Sequence, residues 1–178
     1  KPILIAANKI DLKSSQENFE KLKSNYKNIV PVSAESEIAL KKAEEKNLIE
    51  YHPADGFEIK NSLDEKQTRA LDFIKKNVIE KFGSTGIQTA LNKSVFELLD
   101  YIAVYPVADA NKLTDKDGNI LPDVFLVPNG TTVRELAFKI HTALGEKFIA
   151  GIDARTKRKL SADYKLKHRD IVEIAFAR

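Results

Sequence analysis

The fold of the first half of the chain turns on one stretch, Lys1-Pro2-Ile3-Leu4-Ile5-Ala6-Ala7-Asn8-Lys9-Ile10-Asp11. A short apolar run that stops at a polar turn is the pattern of a strand buried on both faces, because helices cover each side of a parallel sheet. Working outward, residues 16–24 read as a short helix with Phe19 and Leu22 turned inward. Asn28-Ile29-Val30-Pro31-Val32 then reads as a second strand ending at Ser33. Strand, helix and strand in so short a span predict a parallel crossover unit. Ligands of such sheets sit beyond the carboxyl ends of the strands, where Asn8 and Ser33 both fall.

Residues 34–100 read as mostly helical. A helix near 37–47 gives way to an irregular stretch, Tyr51-His52-Pro53-Ala54-Asp55-Gly56. A second helix is expected to open with Ser62-Leu63-Asp64-Glu65 as a capping box, to bury Leu71, Ile74, Val78 and Phe82, and to stop at Gly83. A third presents Ile87, Leu91, Val95 and Leu98 on one face, and both stripes are read as core.

From about residue 101 the period changes from helical to alternating. Tyr101 to Val107 reads as a strand, Asp115-Lys116-Asp117-Gly118-Asn119 as a hairpin turn, and Ile120 to Val127 as a second strand with Pro122 at its start or on an edge. Thr132-Val133-Arg134-Glu135 is a capping box that opens a helix. Its buried stripe is Val133, Leu136, Ala137, Ile140 and Leu144, and Gly145 is expected to close it. Phe148 to Asp153 and Ile171 to Phe176 complete the pattern of a β-grasp, ubiquitin-like domain. The fold class is therefore α+β overall: a partial α/β domain over residues 1–100, with a helical insertion at about 36–84, followed by a β-grasp over 101–178.

Composition narrows the function classes. The chain of 178 residues, 43% hydrophobic and 31% charged, suits one large or two small globular domains. It has no apolar run near the ~20 residues of a membrane span and no leader-like start, so the default compartment is the cytoplasm, with no membrane partner. Without cysteine there is neither a disulfide framework nor a thiolate metal site, and three scattered histidines have no zinc spacing. With no methionine, Lys1 is no natural translation start, and we expect the chain to be part of a longer one. The net charge of +3 is small. It is unevenly spread: Arg155, Lys157, Arg158, Lys159, Lys165, Lys167 and Arg169 fall within fifteen residues, opposed there only by Asp163. A phosphate-bearing partner suits that cluster, and so does a plain solvated surface.

The chemistry lies in Asn8-Lys9-Ile10-Asp11 and Ser33-Ala34. A carboxylate such as Asp11 can accept from both the ring N1–H and the 2-amino group of guanine, while the Asn8 amide addresses the other edge of the base. Adenine has no donors at those positions. The stem of Lys9 can lie along the base plane, and the backbone N–H of Ala34 is placed to donate to guanine O6. Asn-Lys-x-Asp alone is a weak signal, equally a polar turn with Asp11 capping the next helix, and Ser33-Ala34 at the end of the following strand weighs against that alternative. No Gly-x-x-x-x-Gly-Lys-Ser/Thr loop exists among the seven glycines, and Asp115-Lys116-Asp117-Gly118 lies in the wrong order and context for a phosphate motif. No cluster of nucleophile, base and acid emerges, so no catalytic residue is expected. Nor is a metal ligand.

Together the two motifs resemble the fourth and fifth motifs of Ras-like, P-loop GTPases. Phe82-Gly83-Ser84-Thr85-Gly86-Ile87, Val104-Tyr105-Pro106-Val107, Ile120-Leu121-Pro122-Asp123, Val127 to Ala137, Lys139-Ile140-His141 and Asp153-Ala154-Arg155-Thr156 sharpen this. They resemble the C-terminal half of an Obg-superfamily GTPase, nearest to archaeal and fungal relatives of YchF that end in a TGS domain. The resemblance implies that residues 1–34 and about 85–100 belong to a GTPase domain and 101–178 form the TGS domain. It implies GTP or GDP as cofactor, with only base contacts here from Asn8, Lys9, Asp11, Ser33 and Ala34, and magnesium bound only in the full-length parent. YchF proteins depart from Asn-Lys-x-Asp and favour ATP, whereas Asp11 supports GTP. For the TGS domain it implies a partner such as ribosome, rRNA, tRNA or a regulator. The basic cluster is compatible, and Tyr164 could stack a base. The alternative is a non-enzymatic adaptor without nucleotide function. His141 reads as a satisfied or exposed helix residue, Asp153 and Arg155 as turn formers, and the apolar edge near residues 1–35 as a site of self-association.

Overall fold

The first apolar run finds its partner as expected, but only its last residues form the strand and none of them is buried. β1 (Ile5–Ala7) pairs in parallel with β2 (Ile29–Pro31), Ile5 opposite Ile29 and Ala7 opposite Pro31. The computed structural model describes residues 2–121 and 123–177, and they divide into two units, one up to Ser94 and one from Val95. α1 (Lys13–Asn25) makes the crossover and packs Phe19 against Ile10 and Ile29. Leu22, expected inward, is exposed, because a two-stranded sheet covers little of a helix beyond one inward turn.

The following segment is less helical than its sequence reads. α2 (Ala34–Glu45) starts directly at the N-cap Ser33. In place of the irregular stretch there is a hairpin, β3 (Ile49–His52) antiparallel to β4 (Gly56–Ile59), with Tyr51 opposite Phe57. Strands of four residues leave too little alternation to detect, and the break seen in the sequence is their turn, with Ala54 and Gly56 both at positive φ. α3 (Glu65–Ile74) is capped two residues later than expected: Gln67 N donates to Asp64 Oδ1 at 2.8 Å, and Asp64 N donates to Gln67 Oε1 at 3.0 Å. Asp64 is as good a cap as Ser62 and has the amide three residues on. The helix continues through a π turn (Lys75–Ile79) and α4 (Glu80–Phe82) to Gly83, whose φ of 79° ends it.

Leu71, Ile74 and Val78 form a core with Leu40, Ile49 and Tyr51, as their stripe implied. Phe82 does not join them but packs on the Ile10–Phe19–Ile29 cluster. The stripe on α5 (Ile87–Asn92) and the π turn Lys93–Leu98 is not core either: no residue of these two segments is buried, and Leu91 is exposed. A π turn adds a residue per turn, so positions spaced for a 3.6 period no longer share one face.

The second unit is built on β5 (Tyr101–Val107). β6 (Phe125–Pro128) pairs antiparallel on one side, and β9 (Ile171–Phe176) pairs parallel on the other, Tyr105 opposite Ile171. β7 (Phe148–Asp153) and β8 (Lys159–Leu160) complete the order β6-β5-β9-β7-β8. Adjacent parallel first and last strands make this a β-grasp. α6 (Val133–Ile140) lays Val133, Leu136 and Ala137 on Ile102, Val104, Val127, Val172 and Ile174, and its Thr132–Glu135 capping box forms as expected.

Two expectations change. The second strand is short, and Ile120 makes only a single bridge with Thr114 beside Leu121 at φ 42°. The reading of Pro122 lies outside the described residues. Gly145 does not close α6. The helix ends at the extended His141, whose Nδ1 accepts Ala143 N at 3.1 Å and caps α7 (Thr142–Glu146). Gly145 lies inside α7 because a Cβ there would meet the Phe138 ring at 2.2 Å.

Candidate functional site

The ladder between the two parallel strands runs past their ends: Val32 N donates to Ala7 O at 2.9 Å and Ile10 N to Val32 O at 3.2 Å. The loops at the carboxyl ends are thereby brought side by side. Lys9 takes a left-handed backbone, φ 67°. The side-chain oxygen of Asn8 accepts Lys9 N at 2.8 Å and Ala34 N at 3.1 Å, tying the two loops together. A backbone N–H takes the nearest acceptor, so the Ala34 donor expected to face a base carbonyl is engaged by Asn8.

Ser33 is fully buried and has three tasks. Its N–H donates to Thr85 O at 2.8 Å. Its hydroxyl donates to Asp11 Oδ1 at 2.8 Å and lies 2.8 Å from Ser36 Oγ. A hydroxyl has one proton, so with Ser33 giving its own to Asp11, Ser36 donates to Ser33. Ser33 also accepts Ser36 N at 3.4 Å as the N-cap of α2. Asp11 is therefore anchored through one oxygen while Oδ2 has no hydrogen bond among the described residues. It caps no helix, for the N-cap of α1 is Leu12, with no side-chain cap. That removes the alternative reading of Asp11 as a helix cap. The structure brings Asn8, Asp11, Ser33 and Ala34 into one hydrogen-bonded edge. Lys9 stands exposed beside them.

Thr85 escaped the sequence reading as a site residue. Its only signal was the run Gly83-Ser84-Thr85-Gly86, which reads as a turn.

The basic residues of the second unit, Arg155, Lys157, Arg158, Lys159, Lys165, Lys167 and Arg169, are all exposed, and among the described residues none lies within 4.0 Å of a carboxylate. Lys157 differs from the rest: its Nζ donates to Ala110 O at 2.7 Å. Asp153 shapes the turn before them by accepting Arg155 N at 2.8 Å and Thr156 N at 3.2 Å. Burial pushes its carboxyl up, but those hydrogen bonds together hold it below the ordinary carboxylate range. Tyr164, which could stack a base, packs its half-buried ring on the core, and burial raises its phenol. The bulk that suits stacking suits packing as well. Among the described residues no group of three or more histidine, aspartate or glutamate side chains could hold a metal ion, and no helix is long and apolar enough to cross a membrane.

Comparison with known proteins bears on the same residues. The model of the Obg-like GTPase YGR210-like, G4 motif-containing domain matches residues 6–109. The chain belongs to this YGR210-like family of Obg-like GTPases. A TGS-domain model matches residues 112–175, which take in β6, β7, β8 and most of β9 and leave out β5. Among the family's relatives, an uncharacterised GTP-binding protein of Methanocaldococcus jannaschii is 50% identical over 181 residues, which cover 99% of this chain and 46% of that protein. A crystal structure of a GTP-binding protein from Pyrococcus horikoshii OT3 superposes with a TM-score of 0.72 at 42% identity, over 99% of this chain and 46% of that one. The chain thus spans about half the length of the relatives it matches.

Proposed function

We propose that this chain carries the guanine-reading end and the TGS module of a cytoplasmic protein that binds and hydrolyses GTP. The observation that carries the reading is the single edge formed by Asn8, Asp11, Ser33 and Ala34 at the carboxyl ends of β1 and β2. Asp11, anchored by Ser33 through one lone pair of Oδ1, offers its two oxygens to N1–H and the 2-amino group. The Asn8 amide nitrogen serves the opposite edge of the base, Lys9 covers its face, and Ala34 N–H exchanges Asn8 for guanine O6. The YGR210-like family and the names of both GTP-binding relatives support guanine-nucleotide binding. Magnesium does not fit the residues here. The oxygens of Ser33 and Ser36 and one lone pair of Asp11 are spent on each other, so phosphate contacts, metal and hydrolysis are assigned to other parts of the full-length protein.

The test is nucleotide preference. Full-length protein should bind GDP far more tightly than ADP, and Asp11→Asn should remove roughly 1–3 kcal/mol of that preference, as for a bidentate base contact. Equal affinity of the unaltered protein for GDP and ADP would sink the reading.

A second reading concerns the TGS module. Exposed cations without carboxylate partners favour a phosphate-bearing partner, ribosomal RNA or tRNA, over a surface that merely solvates the fold. Reversing the charge at Arg158, Lys159 and Lys165 should then abolish salt-sensitive co-sedimentation with ribosomes. Unchanged binding would remove this surface from consideration. Self-association through the apolar segment around Ile3, 72% exposed, remains part of the proposal, and light scattering of the chain measures it.

A further inference from the structure

A buried carboxylate that touches no part of the base-reading edge asks for an explanation. Glu37, in the first turn of α2, is 8% exposed. The Tyr51 hydroxyl donates to its Oε2 at 2.7 Å, the Thr85 hydroxyl donates to the same oxygen, and Lys41 Nζ stands 3.8 Å from Oε1. Stability alone does not account for such a cluster, since apolar residues of equal volume fill a core as well or better. What hydrogen-bonded charges add is direction.

We infer that Thr85, assisted by Tyr51 through Glu37, is a positioning residue for guanine recognition that sets where the Ala34 N–H meets the 6-oxo group of the base. The inference rests on the guanine-reading function proposed above. Thr85 grips the start of α2 at two points one turn apart. Its carbonyl accepts the N–H of Ser33, the N-cap, at 2.8 Å, and its hydroxyl holds Glu37, whose own N–H donates to Ser33 O at 3.1 Å. Ala34 lies between the two grips, so neither sliding nor rotation of the helix start is left free. The grip has a firm backing. Gly86 sits at φ 80° with its hydrogen facing Pro31 O, where a Cβ would come within 1.9 Å, so the 84–86 turn lies directly on the end of β2. Tyr51, 4% exposed, reaches the same carboxylate from the β3–β4 hairpin. The donor for the base oxygen is thus placed by residues far in sequence from Asn-Lys-x-Asp. A displacement of a few tenths of an ångström there weakens one hydrogen bond of the base and leaves the Asp11 contacts untouched.

The experiment compares three diphosphates on the full-length protein: GDP, 6-thio-GDP, whose sulfur is a poorer and larger acceptor at position 6, and IDP, which lacks only the 2-amino group. Thr85→Val and Tyr51→Phe should each reduce the GDP over 6-thio-GDP ratio at least threefold while leaving the GDP over IDP ratio within twofold of the unaltered protein. Thr85→Ser, which keeps the hydroxyl, should retain both ratios. Should Thr85→Val fail to fold, Tyr51→Phe and Thr85→Ser carry the comparison. An unchanged position-6 ratio in the folded variants overturns the inference, and so does an equal fall in both ratios, which would mark a general loosening of the site. An unaltered protein that does not separate GDP from ADP would instead overturn the guanine reading, and the inference with it.

Discussion

The side-chain oxygen of Asn8 accepts the backbone N–H of Ala34 at 3.1 Å, across twenty-six positions of sequence. The same oxygen accepts the N–H of Lys9 and steadies its left-handed backbone. One amide therefore holds both loops at the strand ends. Asn8→Ala should weaken GDP binding by full-length protein about tenfold, close to 1.4 kcal/mol, the scale of an unsatisfied donor and a lost contact. Asn8→Asp keeps the acceptor but not the outward donor, so it should preserve melting temperature better than affinity. Calorimetric titration and thermal melting separate the two, and unchanged affinity in Asn8→Ala would remove this residue from the site.

Tyr51 provides a titration that reports on the buried cluster. Burial, and then the hydrogen bond to Glu37, push its phenol up to about 12. A raised value means that the folded state favours the neutral phenol. The stabilisation is complete below the ordinary tyrosine value near 10 and is lost as pH rises through about 12. Ultraviolet absorbance of the chain should show one tyrosine ionising well after the exposed ones, and Tyr51→Phe should delete that step. Its persistence in the variant would assign it elsewhere.

The Thr132–Glu135 capping box opens α6, which lies on the β-grasp sheet. Thr132→Ala should cost about 1 kcal/mol and lower the melting temperature of that unit by roughly 4–8 °C. Hydrogen bonds from the Thr132 backbone and then its hydroxyl hold the Glu135 carboxyl below its ordinary value. Its contribution is present above the ordinary glutamate range and lost as pH falls through the lowered value. Melting curves of Glu135→Gln should be flatter with acid than those of the unaltered chain, and parallel curves would count against the cap.

Ala110 is held at both of its backbone groups: Glu173 Oε2 accepts its N–H at 2.8 Å, and Lys157 Nζ donates to its carbonyl at 2.7 Å. The pair pins the 108–121 loop to the sheet. Lys157→Ala should speed amide exchange around residues 109–114 about tenfold, the equivalent of ~1.4 kcal/mol of local opening, without changing exchange at Val127. Lys157 is then a structural lysine. Its loss should alter binding to an RNA partner less than that of Arg158 or Lys159.

Legibility in the sequence followed the range of the forces involved. The β1–α1–β2 crossover, the Thr132 cap, and the strands at 101–107, 148–153 and 171–176 were readable because period, capping and turn residues act within a few positions. The hairpin at Ile49–Ile59 was not, for its strands are four residues each, too short for alternation to stand out. The stripe of Ile87, Leu91, Val95 and Leu98 misled because the π turn at Lys93–Leu98 breaks the 3.6-residue period that would align Val95 and Leu98 with Ile87 and Leu91.

At the site, the identities of Asn8, Asp11, Ser33 and Ala34 were determined by the sequence alone, since reading a base depends on which donors and acceptors stand at the ends of two strands. Their arrangement was not. That Asp11 is anchored by Ser33, that Asn8 engages Ala34, and that Thr85 grips α2 from behind were decided only by the tertiary structure. Hydrogen bonds need atoms within about 3 Å, and such closeness between residues 11 and 33, or 33 and 85, arises when the chain packs.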